Sequence, residues 1–133
     1  MPDINFLAVL VAAASSFLIG GLWYSPKLFG EVWKRATGDS RQPGEGHPAK
    51  VFGLSFLFAL VAAFAYALLL PPVAGVGAGP ALCQGLLVGA GLVAMSFGIN
   101  YQFANRNTTL WLIDGGYHTV QFTLYGLILG LWR

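Results

Sequence analysis

One stretch of this sequence carries groups able to move a proton or hold a cation. Asp114 and His118 are four residues apart, so on a helix they share a face, and Gln121 and Tyr125 continue it. A carboxyl beside an imidazole can relay protons or gate a cation path. It also offers two metal ligands, too few for a structural zinc site, so no metal is expected. His47, the other histidine, lies in a separate polar loop. The same side chains suit a plainer task, bonding to one another and to a facing helix as polar glue. Asn5, Gln84, Ser96 and Asn100 are partners for that role by type. Both readings stay open at this level. No nucleophile elbow, phosphate loop or zinc-binding His-Glu pair occurs, so the sequence offers no catalytic residue, no cofactor and no enzyme class. The single cysteine, Cys83, excludes an internal disulfide and paired-thiol redox chemistry, and reads as a small buried apolar residue.

The elements that must position these groups are membrane spans. Hydrophobic residues make up 56% of the 133-residue chain and charged residues only 9%. A soluble domain carries about 25% charged residues, so this chain lacks the charge to solvate a water-facing surface. A helix needs about 20 mostly apolar residues to cross a hydrocarbon core of about 30 Å. Four stretches qualify, at residues 4–24, 51–70, 81–100 and 110–132, and Pro71-Pro72 stops the second. The first has no Lys or Arg ahead of it and is too long for a secretory h-region, so it reads as a retained span. The fourth alone contains an acid. From the helical rise, Asp114 lies about 7 Å and His118 about 13 Å inside its start, a depth at which an ionisable side chain must be paired or hydrated. The expected fold is an all-α integral membrane protein, one domain over residues 1–133, with four spans in a bundle.

Orientation follows from the cations. Lys27, Lys34, Arg35, Arg41 and Lys50 fall between the first two spans and Arg106 between the last two, leaving only Arg133 for the other side. Basic loops stay cytoplasmic, so both termini are expected outside, in a bacterial cytoplasmic (inner) membrane. A net charge of +2 without a basic stripe excludes nucleic acid as a partner, leaving the lipid bilayer as the one certain contact. In the first loop, Ser25 suits a helix cap and Pro26 a first helical position. Leu28, Phe29, Val32 and Trp33 then recur opposite Lys27, Glu31, Lys34 and Arg35. That pattern predicts a short amphipathic helix in the membrane interface, the alternative being a solvated elbow. Residues 38–48 are Gly-, Pro- and polar-rich and read as a flexible loop.

Small residues recur at spacings that let helices pack closely in lipid. The first span has Ala8, Ala12, Ser16 and Gly20; the second has Ser55, Ala59, Ala63 and Ala67. The third has Gly85 and Gly89, then Ala90, Ala94 and Gly98, and the fourth has Gly126 and Gly130. Such stripes suffice to close a four-helix bundle. Stripes on more than one face of the third span also leave room for a homo-oligomer.

Two motifs carry a family resemblance. Trp23-Tyr24-Ser25-Pro26 with Phe29-Gly30, Trp33 and Gly38, and later Ile113-Asp114-Gly115-Gly116-Tyr117-His118, resemble the bacterial domain-of-unknown-function family 1761 over nearly the whole chain. The resemblance implies a small four-span membrane protein with no established activity, and Asn in many relatives where this chain has Asp114. Two functions follow as expectations: a non-catalytic protein working by packing with itself or a partner, or a conduit for an ion or small substrate along the polar face. The topology predicts that, in intact cells, an external thiol reagent labels Gly77→Cys and leaves Gly44→Cys unlabelled, each made in a Cys83→Ser background.

Overall fold

The computed structural model describes residues 4–38, 48–69 and 78–132. Five helices account for nearly all of them: α1 Phe6–Trp23, α2 Gly30–Thr37, α3 Pro48–Leu69, α4 Ala78–Phe103 and α5 Thr108–Leu131. Residues 39–47 with Arg41 and His47, the Pro71-Pro72 stop and Arg133 lie outside the described residues. Helices α1, α4 and α3 from Ala49 are long and apolar enough to cross a membrane. Helix α5, at 24 residues, has the length, but its polar side chains keep it from the same apolar class. The protein is thus an all-α membrane bundle with three clear candidate spans, where the sequence led us to expect four.

The bundle is open. The long helices lie in the order α3–α1–α5–α4, and α4 makes no extended contact with α1 or α3 among the described residues. The most polar long helix is therefore the one with the most neighbours. Tyr125, Leu129 and Gln121 of α5 are buried with Ala8, Ala12 and Ser16 of α1 and Ala59, Ala63 and Ala67 of α3. These last six come from the small-residue stripes on the first two spans, and they pack there on their neighbours.

Between α4 and α5 the backbones touch. A methyl on Gly126 would sit 2.5 Å from the Ala81 carbonyl oxygen, and one on Gly89 2.8 Å from Cα of Thr119. Halfway along α4 the helix widens to π geometry over Leu87–Val93. The wide turn has a consequence for the stripe. Ala81, Gly85 and Gly89 are four apart, Ala94 follows at five, and all four are buried. A small-residue pattern that on a regular helix occupies two faces thus forms one face, against α5. The expectation of stripes on several faces of this span is corrected accordingly. Cys83 is exposed rather than buried, because α4 has a single long neighbour and the cysteine points away from it.

The contact surface explains which glycines matter. In Gly85→Ala the new methyl meets the Phe122 backbone and lies 2.8 Å from Cα of Thr123, whereas at Gly53 nothing lies within 4 Å. We expect Gly85→Ala to lower the thermal midpoint in detergent, with a cost of about 1–3 kcal/mol for forcing the helices apart. Gly53→Ala should be neutral or slightly stabilising; equal midpoints for the two variants would rule out the close crossing.

Candidate functional site

The residues between α1 and α2 form a tight double turn, and this sets the site. The Ser25 hydroxyl donates back to the Leu22 carbonyl at 2.7 Å instead of capping a following helix. The Phe29 N–H donates to the Trp23 carbonyl at 3.1 Å and the Gly30 N–H to the Ser25 carbonyl at 2.9 Å. Helix α2 therefore starts at Gly30, with Pro26 in the turn, and not at the Ser25-Pro26 step. Any side chain at position 30 would place its Cβ 2.5 Å from the Tyr24 carbonyl oxygen, so the turn requires glycine there. The Phe29 ring packs on Trp23 at 4.8 Å. At the other end of α2, Gly38 adopts φ +73° and closes the helix on the Lys34 carbonyl.

This fold of the chain delivers two aromatic side chains to α5. The Trp23 indole N–H donates to the Ile113 carbonyl at 2.8 Å, and Gly116 leaves the room its ring occupies. The Tyr24 hydroxyl donates to Asp114 Oδ1 at 2.5 Å. From the other side, the Tyr101 hydroxyl of α4 donates to Asp114 Oδ2. The Trp111 indole N–H of α5 donates to the Ala94 carbonyl of α4 at 2.8 Å, with Gly115 packed on the same Ala94. Asp114 thus accepts from phenols on both neighbouring elements. Asn107 ties in α2: its Oδ1 caps α5 by accepting from the Leu110 N–H at 2.8 Å, while its Nδ2–H donates to the Ala36 carbonyl at 2.8 Å. Trp33, Thr37, Asn100, Tyr101, Arg106 and Asp114 border a cavity of about 290 Å³ at this end.

His118 belongs to a second network. Asp114 and His118 share a face, yet no hydrogen bond joins them, which corrects the expectation of a bonded pair. Asp114 is turned toward the elbow, and His118 lies a turn deeper between aromatic rings, stacked on Phe97 at 4.7 Å and edge-on to Tyr117 at 4.8 Å. The direction of its hydrogen bonds is set from the far end. Ser16 gives its hydrogen to the Ala13 carbonyl, and Tyr125 lies 3.2 Å from the Ala59 carbonyl, which can only accept. The Tyr125 hydroxyl therefore donates toward the Ala59 carbonyl, with Ser16 Oγ a second acceptor at 3.3 Å, and its oxygen receives a hydrogen from Gln121 Nε2 at 3.0 Å. Gln121 then presents Oε1 to His118 Nδ1 at 2.6 Å, so Nδ1 carries the hydrogen. His118, Gln121 and Tyr125 form one directed chain across α5 to α3. Tyr117 separately donates to the Ser16 carbonyl at 3.0 Å.

Of the residues singled out from sequence, Asp114 meets Tyr24 and its elbow, while His118, Gln121 and Tyr125 meet one another. Asn5 serves the opposite end, accepting from the Ala8 N–H and donating to the Trp132 carbonyl at 3.4 Å. Tyr101 was missed; its position in the last turn of an apolar helix was the available signal. Among the described residues, no group of three or more His, Cys, Asp or Glu is placed to hold a metal ion.

The two motifs that meet here lie inside a longer match. The family model described as a protein of unknown function (DUF1761) matches residues 7–130. The chain belongs to the DUF1761 family. No curated protein and no solved structure matches it. In DUF1761 terms, the Trp-Tyr-Ser-Pro turn and the Asp-Gly-Gly-Tyr-His segment of this member are the two halves of one packed site: the first supplies indole and phenol donors, and the second the acceptors and the glycine space that admits them.

Proposed function

We propose that this DUF1761 member is a non-catalytic inner-membrane protein that works through helix packing, with itself or with a partner, and that Asp114 is its central staple. In this reading α5 is a fourth span, both termini are outside, residues 25–50 are cytoplasmic, and α2 lies in the interface with Lys34 and Arg35 toward headgroups. The fourth span is supported by length, since 24 residues rise about 36 Å, and by the internal bonding of Asp114, His118, Gln121, Thr119 and Thr123.

The observation that carries the proposal is the coordination of the carboxylate. Both Asp114 oxygens are engaged by phenols from the α1–α2 elbow and α4. A group that moves ions must change partners; this one is held by two neighbours that also hold the fold. The cavity bordering Asp114 shares no lining residue with the one bordering His118 and Gln121. The polar face is divided, which favours packing over the alternative of a proton- or cation-linked conduit for a small substrate.

Self-association is the second part of the proposal, and it rests on the open order of the helices. Among the described residues, helix α4 makes extended contact with no long helix but α5, and it exposes Leu87, Leu92, Met95, Ile99 and Phe103. Light scattering with the detergent mass subtracted should give a multiple of 14.1 kDa. A monomer in several mild detergents and in nanodiscs would end this part.

Removing the charge tests the staple. Asn at position 114 can accept from one tyrosine and donate to the other, so Asp114→Asn should cost only about 1–2 kcal/mol, the difference between charge-assisted and neutral bonds. Asp114→Leu leaves two phenols unpaired and should cost more. Its penalty should shrink in a Tyr24→Phe/Tyr101→Phe background, a coupling read from melting temperatures in a double-mutant cycle. A wild-type proton flux in proteoliposomes that vanishes in folded Asp114→Asn would favour the conduit instead.

A further inference from the structure

The hydrogen-bond chain that fixes His118 leaves one atom unused. Nδ1 gives its hydrogen to Gln121, so Nε2 of the neutral ring carries a lone pair, and it makes no hydrogen bond among the described residues. His118 and Gln121 border a cavity of about 390 Å³ between α1, α3 and α5, with Val93 of α4 at its edge. That cavity adjoins a cleft of about 710 Å³, the two sharing Phe17, Ser55 and Tyr117. Ser55 adds a second unused polar group to this space; its hydroxyl makes no hydrogen bond among the described residues. The other shared walls are aromatic, and among the described residues no Lys, Arg, Asp or Glu borders either space.

These features select a ligand by chemistry. The described walls offer a phosphate, a carboxylate or an ammonium no charged partner, which favours an uncharged ligand. The combined size suits a chain molecule, and the position beside α1 and α3, both long and apolar, suits one that arrives from the bilayer. The unused imidazole nitrogen is an acceptor and so calls for an O–H donor. The unused serine hydroxyl can donate to the same oxygen. We propose that this space is a binding site for an uncharged long-chain lipid alcohol, its hydroxyl donating to His118 Nε2 and accepting from Ser55, its chain lying along Phe17 toward the cleft at Gly20 and Gly21. The site is separate from the Asp114 staple and does not depend on that reading.

Farnesol and farnesyl methyl ether form the matched probe pair, because they share the chain and only the first has a hydrogen to donate. The protein is placed in phosphatidylcholine nanodiscs with ¹⁵N-labelled histidine and His47→Ala, so that a single imidazole reports. The free protein should show the hydrogen on Nδ1 and an unprotonated Nε2. Farnesol should move the Nε2 resonance and raise the melting temperature, and the ether should do neither. His118→Phe, which keeps the ring on Phe97, should bind farnesol about tenfold more weakly, one hydrogen bond's worth in a dry site. Ser55→Ala should weaken binding without altering the free imidazole spectrum, which guards against a folding defect at His118. A hydrogen on Nε2 in the free protein, equal responses to farnesol and its ether, or no response to either would overturn the proposal.

Discussion

A partly buried carboxylate on a packed helix needs partners for both oxygens, because an unmet acceptor there costs several kcal/mol. In this protein the requirement organises one whole end of the molecule. Meeting it from two sides brings a tyrosine from the turn after α1 and another from the last turn of α4 onto the same side chain of α5. Those tyrosines can arrive only if α5 is flanked by both helices there. Trp23 and Trp111 repeat the arrangement with backbone carbonyls as acceptors. The two glycines after Asp114 are the space this convergence needs.

The same constraint accounts for the order of the helices. Lipid-exposed positions have to be apolar, so the helix with the most polar side chains takes the place with most protein around it. Helix α5 carries an acid, a histidine, a glutamine and four tyrosine or threonine donors that all bond within the protein. Helices α3 and α4 stand at the edges and show mainly Phe, Leu, Val, Ile and Met side chains outward, with the exposed Asn100 and Gln102 of α4 in its last turn. An edge helix in a bilayer needs only a narrow strip of fit on one side, and the small residues of α4 provide it.

Much of this was legible from residue types. Long apolar runs marked α1, α3 and α4, and the polar residues of α5 marked it as inward-facing. Recurrent Ala and Gly marked the crossing surfaces on α1 and α3. Partnership was the illegible part. Spacing placed Asp114 and His118 on one face and suggested that they bond, but a carboxylate chooses among all donors in reach, and the phenols of Tyr24 and Tyr101 come from elements 90 and 13 residues away. Ser25 and Pro26 looked like a helix start because a cap and a tight turn use the same residue types. The requirement for glycine at position 30 exists only once the chain has doubled back on the Tyr24 carbonyl. The widened turn of α4 left a trace, the step of five between Gly89 and Ala94, which on a regular helix reads as a change of face.

That widened turn bears on how such a chain tolerates length change. A π segment holds one residue more than an α-helix of the same phase, and so is what a one-residue insertion leaves behind when both flanking faces must be kept. Closing Leu87–Val93 to α geometry with every residue kept would rotate everything beyond it by about 100° relative to the glycines before it. Ala94 would leave the Trp111 indole and Tyr101 would swing away from Asp114, although neither residue had been touched. The reach of a tyrosine at one face of the membrane is therefore set by the wide turn at mid-helix: losing one residue there would close the turn to α geometry and keep the faces aligned, whereas losing the wide turn without losing a residue is felt two to three turns away.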